Sequence, residues 1–220
     1  MARPREFDEG VVLDAAVQCF WAQGFETTSI RDLMEKTGLT AASLYNAWGD
    51  KRAIYLTALD RYVENSIGAR IRRCEALPPR EALHAFFAEI LRRSLTDREH
   101  KGCLVVNSAL EMAPRDPDIR RVIAGVLVRI ETFFRSCAEA GQQDGTITRA
   151  TPAKAQAQHL LGVLMGVRVL ARVRPEKALL QGVVGTALAS LDAQANGGAE
   201  ASPDSAALRA SASSGGARRA

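Results

Sequence analysis

The sequence contains no apolar run long enough to cross a membrane. Such a span needs about 20 consecutive apolar residues, and no stretch of this chain provides them. The first residues, MARPREFDEG, also lack the apolar core that marks a signal peptide. We therefore expect a cytoplasmic protein with no membrane partner.

The motifs of common enzyme chemistry are missing as well. There is no glycine loop for a phosphate, no nucleophile elbow and no HExxH metal motif. The histidines are not spaced as metal ligands, and the cysteines lie far apart with no CxxC pair. These absences predict reduced thiols, no metal or other cofactor, and a protein that is not an enzyme.

The strongest pattern that is present predicts two short helices joined by a tight turn. Apolar residues recur at helical spacing over residues 29–37, which predicts a first helix capped by Thr28. Gly38 is expected to end this helix, because glycine adopts the left-handed conformation without a steric penalty. Thr40 is then placed to cap a second helix over residues 41–47. This arrangement is a helix-turn-helix.

The second helix is the predicted DNA contact. Leu44 and Trp48 turn inward at helical spacing, which leaves a row of small and polar side chains facing outward. A short helix with small residues at its N-terminus fits into a major groove, where free N–H groups favour phosphate and methyl groups meet thymine. We therefore expect this row to bind double-stranded DNA.

These two helices and their neighbours resemble the N-terminal DNA-binding domain of TetR-type transcriptional repressors. The positions that carry the resemblance are Phe25, Thr27, Thr28, Ile30, Arg31, Asp32, Leu33, Gly38, Leu39, Thr40, Ser43, Leu44, Tyr45, Trp48, Gly49, Asp50 and Lys51. Trp48 stands where the family more usually has phenylalanine, which exchanges one aromatic core residue for another.

The resemblance implies a homodimer that binds a palindromic operator and leaves it when a small-molecule inducer binds. The residues expected to contact DNA are Thr28, Arg31, Thr40, Ala41, Ala42, Ser43, Tyr45, Asn46 and Lys51. Lys51 stands in the family's phosphate-binding position, at the start of a helix whose N-terminus favours anions. The alternative is an ordinary exposed lysine.

Helical spacing continues through the rest of the chain and predicts an all-α fold. Further helices are expected over residues 7–23, 51–74, 80–95, 102–113, 117–140, 152–173 and 175–193, with a turn at 141–145. We expect a helix-turn-helix domain at residues 1–50 that begins with a mobile arm, and a ligand-sensing and dimerisation domain at residues 51–193. Residues 194–220, rich in Ala, Ser and Gly, are expected to be disordered.

The last two predicted helices are apolar on more than one face. They carry Gly162, Gly166, Gly182 and Gly185, which would allow another helix to approach closely. A helix that is apolar on two faces must cover a partner as well as its own core. In the resembling family this pair builds the dimer interface, so a homodimer is expected.

Candidate ligand contacts lie in the middle of the chain, where the resemblance implies an inducer pocket. They are Phe86, Phe87, Cys103, Asn107, Glu111, Phe133, His159 and Val163. Three of them are polar groups on mostly apolar helices, and a buried polar group needs a partner, either a ligand or another side chain. The apolar candidates serve equally well as plain core, because apolar stripes are needed with or without a pocket.

Cys103 is the sharpest single candidate. It follows His100, Lys101 and Gly102 at the start of a predicted helix, where positive charge and unpaired N–H groups favour a thiolate. Its Gly-Cys-Leu context resembles a branch of TetR-like repressors that respond to electrophiles or oxidants through this cysteine. An inert core thiol is the alternative, since cysteine is among the most buried residue types.

The distribution of charge argues against DNA binding. The chain has a formal net charge of +4, yet residues 1–52 contain six basic and eight acidic side chains, which sum to −2. DNA-binding domains usually carry a basic patch. We predict a ligand-responsive homodimeric DNA-binding regulator, a repressor released by a small molecule or by cysteine modification. The alternatives are an activator of the same fold and a helical ligand- or partner-binding protein that has lost specific DNA binding.

Overall fold

The computed structural model describes residues 7–192, and every regular segment in that range is helical apart from one isolated bridge between Ile147 and Asp192. The helices are α1 (Glu9–Gln23), α2 (Ile30–Thr37), α3 (Ala41–Trp48), α4 (Lys51–Tyr62), α5 (Ala69–Glu75), α6 (Pro79–Thr96), α7 (Leu104–Glu111), α8 (Pro117–Asp144), α9 (Ala153–Val173) and α10 (Lys177–Ala189). The predicted all-α fold is confirmed. None of these helices is long and apolar enough to cross a membrane. The predicted arm at residues 1–6 and the predicted disordered tail at 194–220 lie outside the described residues.

The turn between α2 and α3 forms as predicted. Gly38 takes the left-handed conformation after α2, with φ at 71°. The Thr40 hydroxyl then accepts the Ser43 N–H at 3.2 Å and begins α3. A side-chain cap of this kind contributes about 1 kcal/mol, so both helix ends are set by local chemistry.

The predicted cap of α2 was wrong by one residue. Ser29 caps this helix in a reciprocal box, in which its hydroxyl accepts the Asp32 N–H while the Asp32 carboxylate accepts the Ser29 N–H. Thr28 is instead fully buried, and its hydroxyl donates to the Gly24 carbonyl at 2.6 Å. The Thr28 side chain therefore closes the loop after α1.

The first three helices form a small core with α4. α1 packs against α2 and α4, and α3 packs against both α2 and α4. The Tyr55 ring of α4 lies 5.0 Å from the rings of Phe20 and Phe25, measured between centroids. Leu33 and Leu44 are fully buried in the same core. Because Leu44 is fixed inward, the rotation of α3 about its own axis is fixed as well.

The single helix predicted over residues 51–74 is continuous but not uniform. A π-helical segment, Val63–Gly68, separates α4 from α5, and the Ala69 N–H donates to the Glu64 carbonyl five residues back. Such a segment widens the helix locally and occurs frequently at functional sites. The spacing of apolar residues does not predict it.

The remaining helices pack around a cluster of four phenylalanines. α8 lies along α9, and α6 contacts α5, α8, α9 and α10. The Phe134 ring lies 5.0 Å from Phe86 and 5.6 Å from Phe87, while Phe133 lies 5.5 Å from Phe86. Phe87 and Phe133, both predicted ligand contacts, therefore lie in the aromatic core.

The predicted turn at residues 141–145 begins too early. α8 continues through Gly141 to Asp144, and Gly145 ends it with φ at 83°. Gly141 is needed for close packing instead, because a Cβ there would stand 2.5 Å from the Ile147 side chain.

Candidate nucleic-acid interface and sensor cavity

α3 presents one open face. Leu44 is fully buried, and Trp48 is half-buried with its ring 5.9 Å from the ring of Phe7. The exposed residues of this segment are Thr40, Ala42, Tyr45 and Asn46, with Ala41 and Ser43 half-buried beside them. The predicted row of outward-facing side chains is therefore present as one continuous surface, which we call the α3 face.

The α3 face carries no charged side chain. Any attraction to DNA phosphates must therefore come from helix N-termini and from neighbouring cations. Arg31 is exposed in the first turn of α2 and forms no ion pair with a described residue. Arg31 is thus placed to supply such a charge. The Thr28 side chain, which was an expected DNA contact, is fully buried and is not placed to contact DNA.

Lys51 is not the free cation that the sequence predicts. Its ammonium group donates to the carbonyls of Phe25 and Thr28, both at 2.9 Å, and lies 4.3 Å from the centroid of the Phe25 ring. Two of the three ammonium donors are therefore used inside the protein. Lys51 fastens the loop between α1 and α2 to the start of α4.

α7 connects the helix-turn-helix to the rest of the chain. Ser108 donates to the carbonyl one turn back and accepts the Tyr55 hydroxyl of α4 at 2.5 Å. At the end of α7 the Glu111 carboxylate accepts the N–H groups of Phe25 and Glu26, at 3.0 and 3.1 Å. Glu111 was a predicted ligand contact, but its carboxylate is occupied at this junction.

A second connection joins the start of α4 to the start of α8. The Arg52 guanidinium donates to Asp116 at 2.8 and 3.0 Å and to Asp118 at 2.9 Å. The Arg52 guanidinium holds the pKa of the Asp116 carboxyl well below its usual range. Asp116 also caps α8, so this pair sets the position of α8 relative to α4.

An outer cleft and an inner cavity meet beside the π-helical segment. The outer cleft has a volume of about 540 Å³ and the inner cavity one of about 20 Å³. Both are lined by Tyr62, Ser66, Arg70 and Arg168. The rest of the inner wall is mostly apolar and comes from Ile67, Phe86, Ile90, Val105, Val106, Ile130, Leu164 and Met165, with Cys103 among them.

Cys103 is the cysteine with the greatest access among the described residues. It is half-buried at the residue before α7 and accepts a hydrogen bond from the Tyr62 hydroxyl to Sγ at 3.6 Å. Cys19, Cys74 and Cys137 are buried, and burial raises the pKa of each thiol, that of Cys137 to about 12. These three thiols are therefore poor nucleophiles at neutral pH.

The structure brings two of the predicted ligand residues, Phe86 and Cys103, to the cavity wall and places the polar candidates elsewhere. The Asn107 amide donates to the Lys101 carbonyl at 2.9 Å and accepts from Arg172 at 3.1 Å. His159 is exposed on the outside of α9. The cause is helical phase: His159 falls on the exposed face of α9, while Gln156, Ala157 and Leu160 around it are buried. Val163 is half-buried and packs against the core.

The polar residues that do line the cavity were not among the predicted ligand contacts. Tyr62, Ser66 and Arg70 lie on the α4–α5 helix, which was interpreted as a link. Arg168 is a lone charge in the apolar stretch LLGVLMGVRVLA of α9, residues 160–171. A single charge in such a stretch was a usable signal, because an ionised group seldom enters a helical core without a role.

The outer faces of α9 and α10 carry exposed small and apolar residues. On α9 the exposed residues include Gly162, Gly166, Val169 and Val173, and on α10 they include Ala178, Gly182, Gly185 and Ala189. A Cβ at any of the four glycines would meet no atom within 4 Å. Packing inside the protomer therefore does not require glycine at these positions. We call this surface the α9–α10 face.

Both halves of the chain match known protein families. Residues 12–58 match the family described as Bacterial regulatory proteins, tetR family. Residues 79–186 match a second description, Tetracyclin repressor-like, C-terminal domain. The first match contains the helix-turn-helix, and the second contains α6 to α9.

Individual relatives cover most of the chain. The uncharacterized HTH-type transcriptional regulator YezE of Bacillus subtilis is 31% identical over 194 residues, which are 87% of this chain and all of YezE. The HTH-type transcriptional repressor ComR of Escherichia coli is 28% identical over 188 residues, or 84% of this chain and 90% of ComR. Among solved structures, a cysteine mutant of the TetR family transcriptional regulator CifR, complexed with 26 bp double-strand operator DNA, has a TM-score of 0.76 and 30% identity. The match covers 86% of this chain and 99% of CifR.

Proposed function

The chain belongs to the TetR family of DNA-binding transcriptional regulators and is not an enzyme, and from this premise we propose a homodimeric repressor that responds to a small molecule or to modification of Cys103. Residues 1–50 bind the operator, and residues 51–193 sense the signal and form the dimer. The α3 face enters the major groove, with Thr40, Ala42, Tyr45 and Asn46 nearest the bases. Arg31 and the helix N-termini contact phosphates.

The observation that carries this proposal is the position of α7. Cys103 precedes its first residue and lines the inner cavity, while Glu111 at its other end holds the loop between α1 and α2. The helix has 8 residues and is therefore about 12 Å long. A displacement of α7 by a ligand or by an adduct on Cys103 changes the position of the helix-turn-helix directly.

The π-helical segment supports the same coupling. Ser66 and Ile67 lie in this segment and line the inner cavity. The segment interrupts the helix that leads from the cavity to the start of α4, next to the recognition helix. A return from π to α hydrogen bonding would rotate α4 relative to α5, which would change the separation of the two α3 faces in the dimer.

The dimer itself is proposed to form through the α9–α10 face. Its exposed glycines on two neighbouring helices permit close approach of a second helix pair, and its valines supply apolar area to bury. A two-fold dimer built this way presents two α3 faces on one side, as a palindromic operator requires.

Alkylation with N-ethylmaleimide tests the role of Cys103. We expect Cys103 to react at least about tenfold faster than Cys19, Cys74 and Cys137, because the other thiols are buried and their pKa values are raised. Peptide mass spectrometry over time measures the four rates. The same samples are then tested for operator binding by gel shift, and alkylation of Cys103 is expected to release the DNA. Equal, slow reaction of all four thiols would remove the cysteine from the mechanism.

Replacing Glu111 with alanine tests the coupling through α7. The substitution removes the acceptor of two backbone N–H groups of the helix-turn-helix. We expect alkylation of Cys103 to release the operator at least about fivefold less effectively, since allosteric coupling of this kind amounts to about 1–3 kcal/mol. Fluorescence anisotropy of labelled operator DNA measures the operator affinity before and after alkylation. Glu81→Ala, an exposed glutamate on α6, is the matched control. Full release in the Glu111 variant would show that the signal takes another route.

A further inference from the structure

The guanidinium group of Arg168 is buried without a counter-charge. Arg168 is 8% exposed, and no carboxylate of the described residues forms an ion pair with it. Its two terminal nitrogens donate to the Ser94 hydroxyl at 3.0 Å and to the Gly102 carbonyl at 2.6 Å, while Nε has no partner. Because arginine stays protonated in proteins, a full positive charge is held in the cavity wall with donors to spare.

The surroundings of Arg168 add further positive charge. Arg70, which lines the same space and is 4% exposed, lies 3.2 Å from the Glu89 carboxylate. Glu89 is shared, however, with Arg73 at 2.7 Å and Arg93 at 2.9 Å. Burial lowers the pKa of Arg70, and the nearby charge of Arg168 acts in the same direction. One carboxylate thus serves three arginines, and it leaves Arg168 unpaired.

The Arg168 side chain borders a space of suitable size. Arg168 and Arg70 both line the boundary between the outer cleft and the inner cavity, and the cleft volume of about 540 Å³ lies within the usual range for small-molecule sites. Trp21 and Tyr62 also line the cleft. Its wall carries two acidic side chains, of which Asp97 accepts the Gly102 N–H at 2.8 Å and Glu99 pairs with Lys101. The charge of the wall is nevertheless positive on balance, because six basic side chains line it: Arg70, Arg92, Arg93, Arg98, Lys101 and Arg168. The inner cavity, at about 20 Å³, has room for little more than one water.

We propose that this cleft binds a small organic carboxylate, whose anionic head pairs with Arg168 while its aromatic or short aliphatic part lies against Trp21. The planar guanidinium matches the two oxygens of a carboxylate, and its Nε has no other hydrogen-bond partner. The inference rests on the proposed function in that the carboxylate is the inducer. Binding would compete with the Gly102 carbonyl for Arg168, and Gly102 precedes Cys103 at the start of α7.

Calorimetric titration of the full chain with benzoate, benzamide and benzylamine separates charge from shape. The three probes share a ring and carry a negative, neutral and positive group. We expect benzoate to bind at least about tenfold more tightly than the other two, because the neutral and cationic probes leave the guanidinium unpaired. Equal affinity for benzoate and benzamide would overturn the proposal. Hexanoate serves as an additional aliphatic carboxylate, and no heat of binding from either benzoate or hexanoate at millimolar concentration would overturn the proposal as well.

Three substitutions on α9 locate the binding group. Arg168→Gln should weaken benzoate binding at least about tenfold, and Arg168→Lys should have an intermediate effect because it keeps the charge and loses the planar fork. Arg172→Gln removes the same charge one turn further along, outside the cleft, and should leave binding unchanged. Circular dichroism checks the fold of each variant. If Arg168→Gln does not fold, the comparison of benzoate with benzamide on the unmodified protein still decides.

The remaining outcomes distinguish this site from the regulatory function. Inorganic phosphate bound as tightly as benzoate would contradict a carboxylate site. Benzoate binding that depends on Arg168 but does not release operator DNA would confirm the site and contradict the ligand response. A protein that releases its operator on alkylation of Cys103, yet binds no carboxylate, would retain the regulatory function and lose the proposed site.

Discussion

Replacing Gly182 and Gly185 with glutamate is expected to convert the proposed dimer into folded monomers and to lower operator affinity by about a hundredfold or more. Both glycines are exposed on the α9–α10 face, and their Cβ positions are open in the protomer. Glutamate is a better helix former than glycine by about 0.5–1 kcal/mol, so α10 should remain intact. In a dimer, however, two carboxylates per protomer would be buried against an apolar partner at a cost of several kcal/mol.

Sedimentation velocity measures the oligomeric state, and fluorescence anisotropy measures operator affinity at the same protein concentrations. The matched control is Gly125→Glu, because Gly125 is also an exposed helical glycine with open space at its Cβ, but lies on α8 outside the α9–α10 face. This control should remain dimeric and bind DNA normally. A Gly182→Glu, Gly185→Glu variant that stays dimeric would place the dimer interface elsewhere.

The second large effect is expected from Ala42→Asp on the α3 face. Ala42 is exposed at the second residue of α3, where a carboxylate interacts favourably with the helix dipole and should stabilise the helix by about 0.3–1 kcal/mol. The same carboxylate would face DNA phosphates, which costs about 1–4 kcal/mol per contact at a protein surface. We therefore expect operator affinity to fall by about a hundredfold while thermal stability is unchanged or higher.

Gel shifts at low salt measure the loss, and a thermal melt followed by circular dichroism measures stability. Ala124→Asp introduces the same charge at an exposed position inside α8 and should leave DNA binding unchanged, while the lower helix propensity of aspartate costs about 0.7 kcal/mol of stability. If both variants lose DNA binding equally, the added charge acts through the protein as a whole. In that case the α3 face is not the contact surface.

Much of the helix-turn-helix could be predicted because its determinants are local. Gly38, Thr40 and Leu44 act through contacts within one or two turns, and a glycine, a capping hydroxyl and an apolar spacing are all visible in the sequence. The cap of α2 was misplaced by one residue because Thr28 and Ser29 are both good caps. Only the buried position of Thr28 decides between them.

The contacts of Lys51, Glu111 and Arg168 could not be predicted because their partners are distant in sequence. Lys51 bonds to the loop before α2, Glu111 to residues about 85 positions earlier, and Arg168 to Gly102. Helical periodicity gives the face on which a residue lies but not the element packed against that face. The π-helical segment was missed because its five-residue hydrogen bonding leaves no mark in the spacing of apolar residues.

The net charge of −2 over residues 1–52 no longer argues strongly against DNA binding. Several of the acidic groups are occupied: Asp14 pairs with Arg61, Asp32 closes the capping box of α2, and Asp50 caps α4. Arg31 is exposed in the helix before α3 and forms no ion pair with a described residue. The arrangement of charge around this face therefore matters more than the sum.

A methylation-protection footprint of the operator tests the central claim most directly, that two copies of the α3 face read successive major grooves. The account predicts two protected patches of major-groove guanines, centred about one helical turn or 34–36 Å apart, both lost with Ala42→Asp. A single protected patch, protection confined to the minor groove, or an unchanged footprint in the Ala42→Asp variant would contradict it.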